Sequence, residues 1–390
     1  MNKPSHVLRA SLLFVLLFTL LPPTYASAYV GCLDEDNNPV DWWVILKAPA
    51  SYKYIYRDAN TQDPTFSAPK ANLNDHARGA LSNTMNAFYA SNKNPNVGYI
   101  AYNDQPPTGQ DQGDFAHAKG LLAFDENLGF WLIHSIPHFP SSSLSSKSYA
   151  GLPSSSFKYG QSLFCVTYPI NAYAEIGAQL EVDGPYIMQR YLPPTLQPQI
   201  DNNLANIKID GPQTRVAQLT SLGGVLITSV AKTKQWQMDF YEDLLAPTLA
   251  SDLLVRTWML SGENLPTSCT GADCHSTYFN YDAVQRRVKD PICNRLCTTG
   301  SEDQCHFAYS TMQVNKVKFS RDIEIAHQND HSKWAITAPN SAHPMVCIGD
   351  MNTQKGQRSR GGGTACIEDQ AMWNALYSLI SDRDTCPNGS

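Results

Sequence analysis

The amino-acid sequence predicts a mixed α/β protein, of a size that allows one large domain or two intimate halves. Apolar segments with strand character alternate with helical segments along the chain, which favours a buried sheet covered by helices. A proline-rich stretch at residues 191–198, followed by a polar stretch, indicates a connector near residue 195. On each side of that connector lies one His-x-Lys triplet with an apolar strand beyond it, so the halves echo each other.

The first 28 residues have the three parts of a secretory signal peptide. Lys3 and Arg9 supply the positive start, residues 10–21 form an apolar run, and Ala26-Ser27-Ala28 matches the small-residue cleavage pattern. The apolar run is short for a membrane-spanning helix, so cleavage is favoured over anchoring.

The predicted divisions are a signal peptide at 1–28 and halves at 29–195 and 196–390. We expect the mature protein in the secretory pathway, either in lysosomes or secreted, without a membrane partner.

The composition of successive segments predicts the individual strands and helices. Apolar runs bounded by polar or turn residues predict strands at 40–47, 98–102, 120–124, 129–134, 162–168, 224–230, 333–337 and 345–349. Helical spacing of apolar residues predicts helices at 80–90, at 241–260 with an interruption at Pro247, and at 367–381. This alternation places helices over a buried sheet.

Two short motifs, His117-Ala118-Lys119 and His331-Ser332-Lys333, indicate the chemistry. On a strand, residues i and i+2 point to the same face, so each imidazole and its lysine can address one phosphate together. Two lysines would neutralise the phosphate oxygens while one imidazole attacks phosphorus and the other protonates the leaving oxygen. We expect no metal ion or cofactor, since the sequence has no HExxH, EF-hand or P-loop motif.

So short a motif is weak by itself in a chain with ten histidines, and the surrounding strings are far more specific. Around the first motif they are AHAKGLLAFD at 116–125 and GFWLIHSIPHFP at 129–140. Around the second they are DHSKW at 330–334, VCIGDMN at 346–352 and RGGGTAC at 360–366. Together with CLDE at 32–35, PVDWW at 39–43 and YNDQPP at 102–107, these strings resemble the deoxyribonuclease II family of the phospholipase-D-like superfamily.

This resemblance covers nearly the whole mature chain. It implies a phospholipase-D-like fold of two pseudo-repeated mixed-sheet halves, with the active site at their interface. It also implies an acid, metal-independent endodeoxyribonuclease that cleaves DNA without reading its sequence. A phosphohistidine intermediate and products with 3′-phosphate and 5′-hydroxyl ends are expected. The implied role is degradation of DNA from engulfed or apoptotic cells, by a monomer or a homodimer.

The resemblance further implies roles for individual residues. His117 is expected to be the nucleophile and His331 the acid, with the reverse assignment left open. Lys119 and Lys333 are expected to bind the phosphate. Polar side chains beyond the motif strands are expected to support the site: His134, Asp350 and Asn352. Basic side chains beside Gly361–Gly363 are expected to hold the DNA backbone: Lys355, Arg358 and Arg360. The plainer alternatives are packing at a strand end for His134 and a solvated loop for the basic residues.

Ten cysteines in a chain of the secretory pathway indicate disulfides. The resemblance implies the pairs Cys32–Cys165, Cys347–Cys366 and Cys305–Cys386. Four further cysteines lie close together in the sequence: Cys269, Cys274, Cys293 and Cys297. Their spacing is compatible with a zinc site or with two local disulfides, and the oxidising compartment favours disulfides.

The charge of the chain sets an expectation about pH. The formal net charge is −6 with histidines neutral, and removal of the two signal cations makes it more negative. Such a surface repels DNA at neutral pH, and protonation of histidines below about pH 6 weakens that repulsion. Mild acidity is also ordinary for a secreted protein, so charge alone does not establish an acidic compartment.

Two other functions compete with DNA hydrolysis. One is a catalytically silent relative that binds DNA or a protein, and the intact motifs count against it. The other is a lipid phosphodiesterase with the same chemistry, and the strings around both motifs count against that.

Overall fold

The computed structural model describes residues 29–386, with gaps at 64, 68, 141–142, 145, 147, 197–210, 260–263, 266 and 270–307. Within these residues the chain forms a seven-stranded and a nine-stranded sheet, and their strands lie between residues 42–191 and 214–383 respectively. The predicted mixed α/β fold with two halves is therefore confirmed. The boundary at 195 stays a prediction, and the signal peptide lies outside the described residues. No helix in the described part is long and apolar enough to cross a membrane.

The first sheet is antiparallel throughout, in the order β2-β1-β6-β5-β4-β3-β7. Its strands are β1 (Trp42–Lys47), β2 (Tyr54–Asp58), β3 (Gly98–Asn103), β4 (Lys119–Phe124), β5 (Leu128–His134), β6 (Gln161–Pro169) and β7 (Ile187–Tyr191). Its helices are α1 (Ala80–Ser91) and α2 (Tyr173–Asp183). Strands β1 and β4 are buried along their whole length, which explains their continuous apolar sequences.

The second sheet has the order β12-β11-β10-β13-β14-β15-β9-β8, with β16 beside β11. Its strands are β8 (Thr214–Thr220), β9 (Leu226–Lys232), β10 (Leu253–Arg256), β11 (Thr311–Ser320), β12 (Ile323–Ala326), β13 (Trp334–Thr337), β14 (Met345–Gly349), β15 (Gly362–Glu368) and β16 (Ile380–Arg383). Its helices are a π-helical turn at Tyr241–Leu245, α3 (Ala246–Leu249) and α4 (Gln370–Leu379). Asp369 caps α4, because its carboxylate accepts the Met372 amide at 2.6 Å.

The two sheets share one hydrophobic core. Alternate residues of β1 point to opposite faces, so Trp42 and Val44 join the shared core while Trp43 and Ile45 join the core that includes α1. The shared core also contains residues of the second sheet: Ile227, Leu254, Ile336, Val346 and Ile348. Burial of apolar surface between the sheets therefore holds the two halves against each other.

All eight predicted strands occur within two residues of their expected bounds, as does the first predicted helix. The predicted helix at 241–260 is wrong beyond residue 249. The chain turns at Ala250, where φ is 50°, and continues into β10. Leu253–Arg256 forms a strand because it pairs with β11 on one side and β13 on the other, and these partners come later in the sequence. The predicted helix at 367–381 begins only at Gln370, since Ile367 belongs to β15.

Two of the three disulfides implied by the resemblance are confirmed, namely Cys32–Cys165 and Cys347–Cys366. Cys32–Cys165 joins the start of the described chain to β6, in the middle of the first sheet. Cys347–Cys366 joins the neighbouring strands β14 and β15, where the two residues face each other in register.

The predicted Cys305–Cys386 pair is wrong, since Cys386 is bonded to Cys269 with the Cα atoms 5.6 Å apart. The reason is strand pairing. Ser268 bridges to Thr311 of β11, and the chain just before Cys386 bonds the same strand, since the amide of Asp384 donates to Gln313. Both cysteines are thereby brought to β11. The expectation of two local disulfides or a zinc site among the four clustered cysteines is therefore wrong for Cys269. The other three clustered cysteines and Cys305 lie outside the described residues.

Cys269→Ser should destabilise the protein as much as Cys386→Ser, with no further loss in the double variant. Removing a native disulfide typically costs about 2–5 kcal/mol. Urea unfolding at pH 5 measures the loss, and a non-reducing peptide map identifies the pair. A Cys305→Ser protein serves as control and should still yield the linked peptide of Cys269 and Cys386. A map joining Cys386 to Cys305 would contradict the assignment.

Candidate active site

The first motif lies where the chain enters β4. Lys119 is the first residue of that strand and His117 lies just before it. The amide of His117 donates to the Gly361 carbonyl at 3.0 Å, so the second half of the chain holds this histidine's backbone. The buried ammonium of Lys119 donates to the carboxylate of Asp104, which follows the neighbouring strand β3.

Asp104 joins the first motif to the glycine-rich loop. Its second oxygen accepts from Nη2 of Arg360 at 2.9 Å. Burial raises the pKa of Asp104, but the charges of Lys119 and Arg360 and the hydrogen bond from Lys119 outweigh burial and hold the pKa well below its ordinary value. The carboxylate is therefore ionised at acid pH and neutralises part of the positive charge around the motif.

The second motif lies just before β13 and is held by the first half of the chain. The amide of His331 donates to the Gly160 carbonyl at 2.9 Å, and the amide of Lys333 donates to Oγ of Ser162 at 3.2 Å. Both acceptors lie at the start of β6. Each motif is thus fixed by a backbone contact to the opposite half of the protein.

A buried ion pair fixes the residue before this motif. Asp330 accepts from Arg256 with one oxygen, at 3.0 Å, and from the amide of Ser332 with the other. Arg256 is fully buried, and its other donors bond the carbonyls of Val314, Asn315 and Ile325. Because every contact of this guanidinium is to a fixed partner, it sets the position of the 330–332 segment.

Electrostatic interactions link the two motifs, since the charge of Lys119 acts on both His331 and Lys333. Burial, followed by the charge of Lys119, lowers the pKa of Lys333 to about 7. Burial and, to a lesser extent, the charges of Lys333 and Lys119 lower the pKa of His331 to about 2. Burial, followed by Lys119, also lowers the pKa of His117 well below its ordinary value. Both imidazoles are therefore neutral in the ligand-free protein, within a cluster of positive charge that suits a phosphodiester.

Each motif histidine presents a buried ring nitrogen that has no hydrogen-bond partner among the described residues. These atoms are Nδ1 of His117 and Nε2 of His331. Buried polar atoms are nearly always hydrogen-bonded in folded proteins. These two atoms beside buried lysines are therefore available to bond a substrate.

Two of the three predicted supporting residues, His134 and Asp350, interact with Lys119 of the first motif. His134 ends β5, and its Nδ1 accepts the Ile136 amide at 3.2 Å, so Nε2 bears the proton of the neutral ring. Burial, followed by Lys119, lowers the pKa of His134 to about 3. Asp350 follows β14 and accepts the backbone amide of Lys119, and burial raises its pKa to about 7. Asn352 is buried, and its Oδ1 has no partner among the described residues.

The three predicted DNA-binding residues differ in their surroundings. Lys355 is exposed. Arg360 bonds Asp104 and also donates from Nε to the Phe115 carbonyl at 2.7 Å. Arg358 interacts with the buried carboxyl groups of Asp239 and Asp243. Both arginines thus have intramolecular partners, and DNA binding by this loop stays a prediction.

Sequence reasoning missed three residues that shape the site: Asp104, Asp330 and Arg256. Asp104 and Asp330 lie within quoted strings, YNDQPP and DHSKW, so a signal was present. Arg256 lies in the segment wrongly predicted as helix, which hid its position in the sheet. Among the described residues, no group of three or more His, Cys, Asp or Glu side chains has the arrangement of a metal site.

A sequence model of the family described as Deoxyribonuclease II matches residues 31–386. The chain belongs to the deoxyribonuclease II family. The match spans both motifs and nearly all described residues, so the resemblance inferred from the short strings is confirmed. The family is one of nucleases, which makes the two-motif site the candidate nuclease centre.

Three individual proteins are similar to this chain over almost their full length. Plancitoxin-1 of Acanthaster planci is 31% identical, over 95% of this chain and 99% of the relative. Deoxyribonuclease-2-alpha of Mus musculus is 31% identical, over 93% of this chain and 95% of the relative. Cell-death-related nuclease 7 of Caenorhabditis elegans is 29% identical, over 97% of this chain and 94% of the relative.

Asp104→Asn should destabilise the protein strongly, because it leaves Lys119 and Arg360 buried without their anion. Breaking a buried charge pair typically costs about 3–5 kcal/mol. A depressed carboxyl pKa stabilises the fold above the unfolded value near pH 3.9, and this contribution is lost as pH falls through the folded value. The difference from wild type should therefore be constant above about pH 5 and shrink below about pH 3.9.

Urea unfolding between pH 3 and pH 7 measures this difference. The control is Asp36→Asn, which removes the partner of Lys70 in an exposed ion pair and should cost far less, because solvent screens exposed charges. Equal losses in the two variants would contradict the anchoring role of Asp104.

Proposed function

We propose that this chain is an acid endodeoxyribonuclease that hydrolyses DNA without a metal ion. The observation that carries the proposal is the reciprocal fixing of the two motifs, His117 by Gly361 and His331 by Gly160. Two imidazoles and two ammonium groups in one buried cluster supply a nucleophile, an acid and the charge to bind phosphate. Family membership supports DNA as the substrate.

The first chemical step forms a bond between His117 and phosphorus. A DNA phosphodiester binds with its non-bridging oxygens toward Lys119 and Lys333. The neutral imidazole of His117 attacks phosphorus, and the bond to the 5′ oxygen breaks as His331 delivers a proton to that oxygen. This releases a 5′-hydroxyl end and leaves the 3′-phosphoryl group on His117. The lowered pKa of His117 supports its role as the nucleophile, because only the unprotonated ring has a lone pair to donate.

The second step hydrolyses that intermediate. His331, now neutral, accepts a proton from a water molecule as the water attacks phosphorus. The bond to His117 breaks and the 3′-phosphate end leaves. The proton taken from water restores His331 to its acid form, so the cycle consumes only water. His134 and Asp350 both interact with Lys119, which supports a role in holding that lysine.

Protonation of His331 depends on the substrate in this mechanism. The lysines and burial oppose a charged imidazole in the ligand-free site, so an ordinary histidine pKa near 6.5 does not describe it. A bound phosphodiester brings a negative charge to the same cluster and raises that pKa. Acid pH then favours cleavage in two ways. It protonates His331 in the complex, and it reduces the negative surface charge that repels DNA.

The compartment and role follow from the same features. The predicted signal peptide and the disulfides support entry into the secretory pathway, and an acid-dependent site suits lysosomes or an acidic extracellular space. One relative is named for cell death, which supports a role in degrading DNA of dying cells. A catalytically silent DNA-binding relative is the alternative, and a cleavage assay separates the two.

Wild type should nick supercoiled plasmid at about pH 5 in EDTA, whereas His117→Ala and His331→Ala should not. Removing a general acid typically lowers the reaction rate about 10²–10⁴-fold, and losing the nucleophile lowers it further. His134→Ala should reduce the rate less than either. His343→Ala is the matched control, since His343 is exposed and pairs with Glu368. Activity that disappears in EDTA and returns with Mg²⁺ would contradict the proposal.

The cleavage products should have 3′-phosphate and 5′-hydroxyl ends, because attack by histidine expels the 5′ oxygen. Polynucleotide kinase should therefore label the fragments directly with radioactive phosphate. Fragments that accept label only after phosphatase treatment would show the opposite polarity and exclude this mechanism.

A further inference from the structure

The imidazole of His331 lies in a corner formed by two aromatic rings. The ring of Tyr159 is stacked on its face, with centroids 4.0 Å apart and planes 12° apart. The ring of Trp258 lies 4.5 Å from it at 54°, and Trp258 and Tyr159 are 6.2 Å apart. These distances place His331 at the apex of the aromatic corner, the name used here for these three rings. Among the described residues, His117 has no ring contact of this kind.

The backbone holds Tyr159 in place next to the second motif. The buried ammonium of Lys47 donates to the Phe157 carbonyl at 3.3 Å, two residues before the tyrosine. Immediately after it, Gly160 donates to the Asn329 carbonyl and accepts from the His331 amide. Tyr159 therefore cannot shift without moving the strand-like contact that fixes His331.

Trp258 is also anchored to the segment that contains His331. Its Nε1 donates to the Gln328 carbonyl at 3.1 Å. Two residues earlier, Arg256 bonds Asp330, the residue before the histidine. The three rings are thus held as one unit by contacts made by the neighbouring backbone and side chains.

The charges around His331 explain what this corner can contribute. Cations surround the imidazole from every neighbouring element: Lys333 before β13, Lys119 on β4, Lys158 before β6 and Lys47 on β1. The carboxylate of Asp330 is ion-paired with Arg256 rather than with His331. The two aromatic rings, by contrast, present electron-rich faces that attract a cation. Nε2 of His331 has no hydrogen-bond partner among the described residues and stays available to the substrate, so ring packing rather than a bond at that atom orients the imidazole.

We propose that Tyr159 and Trp258 are positioning residues for His331, which fix the plane of its imidazole and stabilise its protonated form. The proposal rests on the proposed function, in which one motif histidine is the acid. It assigns the acid role to His331, since only that histidine has the aromatic corner. Lys158 lies 4.8 Å above the Tyr159 ring, so the tyrosine also holds an exposed cation near the site.

The test compares two substrates with different leaving groups. Cleavage of a DNA oligonucleotide needs a proton on the leaving oxygen, whereas 4-nitrophenolate leaves thymidine 3′-(4-nitrophenyl phosphate) without one. Tyr159→Leu and Trp258→Leu should slow single-turnover DNA cleavage about tenfold and leave KM within about twofold. The burst of nitrophenolate should stay within about threefold of wild type. The alkaline limb of the kcat profile for DNA should move down by about 0.5–1.5 pH units.

Conservative variants separate the effect of the aromatic face on His331 from the effects of the tyrosine hydroxyl and the indole N–H. Tyr159→Phe and Trp258→Phe keep a ring and should restore the wild-type pH profile. Tyr377→Leu is the matched control, because Tyr377 is stacked on Trp373 at 4.9 Å and 12° on α4, away from the motifs. It should change neither rate.

Several results would overturn the proposal. One is an equal loss of rate with both substrates in the leucine variants, and another is no loss of rate with either substrate. A third is a pH profile of Tyr159→Phe identical to that of Tyr159→Leu. If Tyr159→Leu does not fold by circular dichroism, the two Trp258 variants decide. Failure of the proposed function is distinguishable, because His331→Ala would then cleave the oligonucleotide at the wild-type rate.

Discussion

The constraint on which the site depends is that two cationic motifs from distant parts of the chain must be held together in a buried place. Lys119 and Lys333 repel each other there, and burial penalises both charges. The reciprocal backbone contacts of His117 and His331, made across the shared core, hold the motifs against this repulsion. Asp104 and Asp330 add fixed negative charges, one beside each motif.

The excess of positive charge in this arrangement favours the binding of an anion. The ligand-free site keeps both histidines neutral and lowers the pKa of Lys333 to about 7. A phosphodiester reverses these effects, because its charge favours every cation that the protein alone disfavours. In the proposed mechanism, binding of the phosphodiester thus favours protonation of His331, and the aromatic corner adds to that effect. The aromatic corner makes the two histidines unequal, which a two-motif sequence pattern cannot reveal.

The parts of the fold that could be predicted are those determined by local sequence. Strands β4, β5, β13 and β14 are continuous apolar runs, and they position both motifs and their supporting residues. The parts that could not be predicted depend on distant partners. Strand β10 looks helical until β11 and β13 are present on either side of it. The pairing of Cys269 with Cys386 likewise follows from β11, which brings both cysteines together.

The candidate site divides in the same way. The histidines and lysines of the motifs could be named from their spacing, and Asp350 from its place at a strand end. The bond between Asp104 and Lys119 crosses two strands, and Arg256 reaches Asp330 from a strand that the sequence conceals. Spacing along a chain does not determine which charged side chains become neighbours in a sheet, and ion pairing of this kind emerges only with the fold.

The most direct test of the two-histidine account is to trap the intermediate. His331→Ala incubated with thymidine 3′-(4-nitrophenyl phosphate) can complete the first step, because the leaving group needs no proton, but lacks the base for the second. The account predicts a burst of one nitrophenolate per protein and a thymidine 3′-phosphoryl adduct on His117, identified by mass spectrometry of the intact chain and its peptides. Linear turnover without an adduct, or an adduct on any other residue, would contradict it.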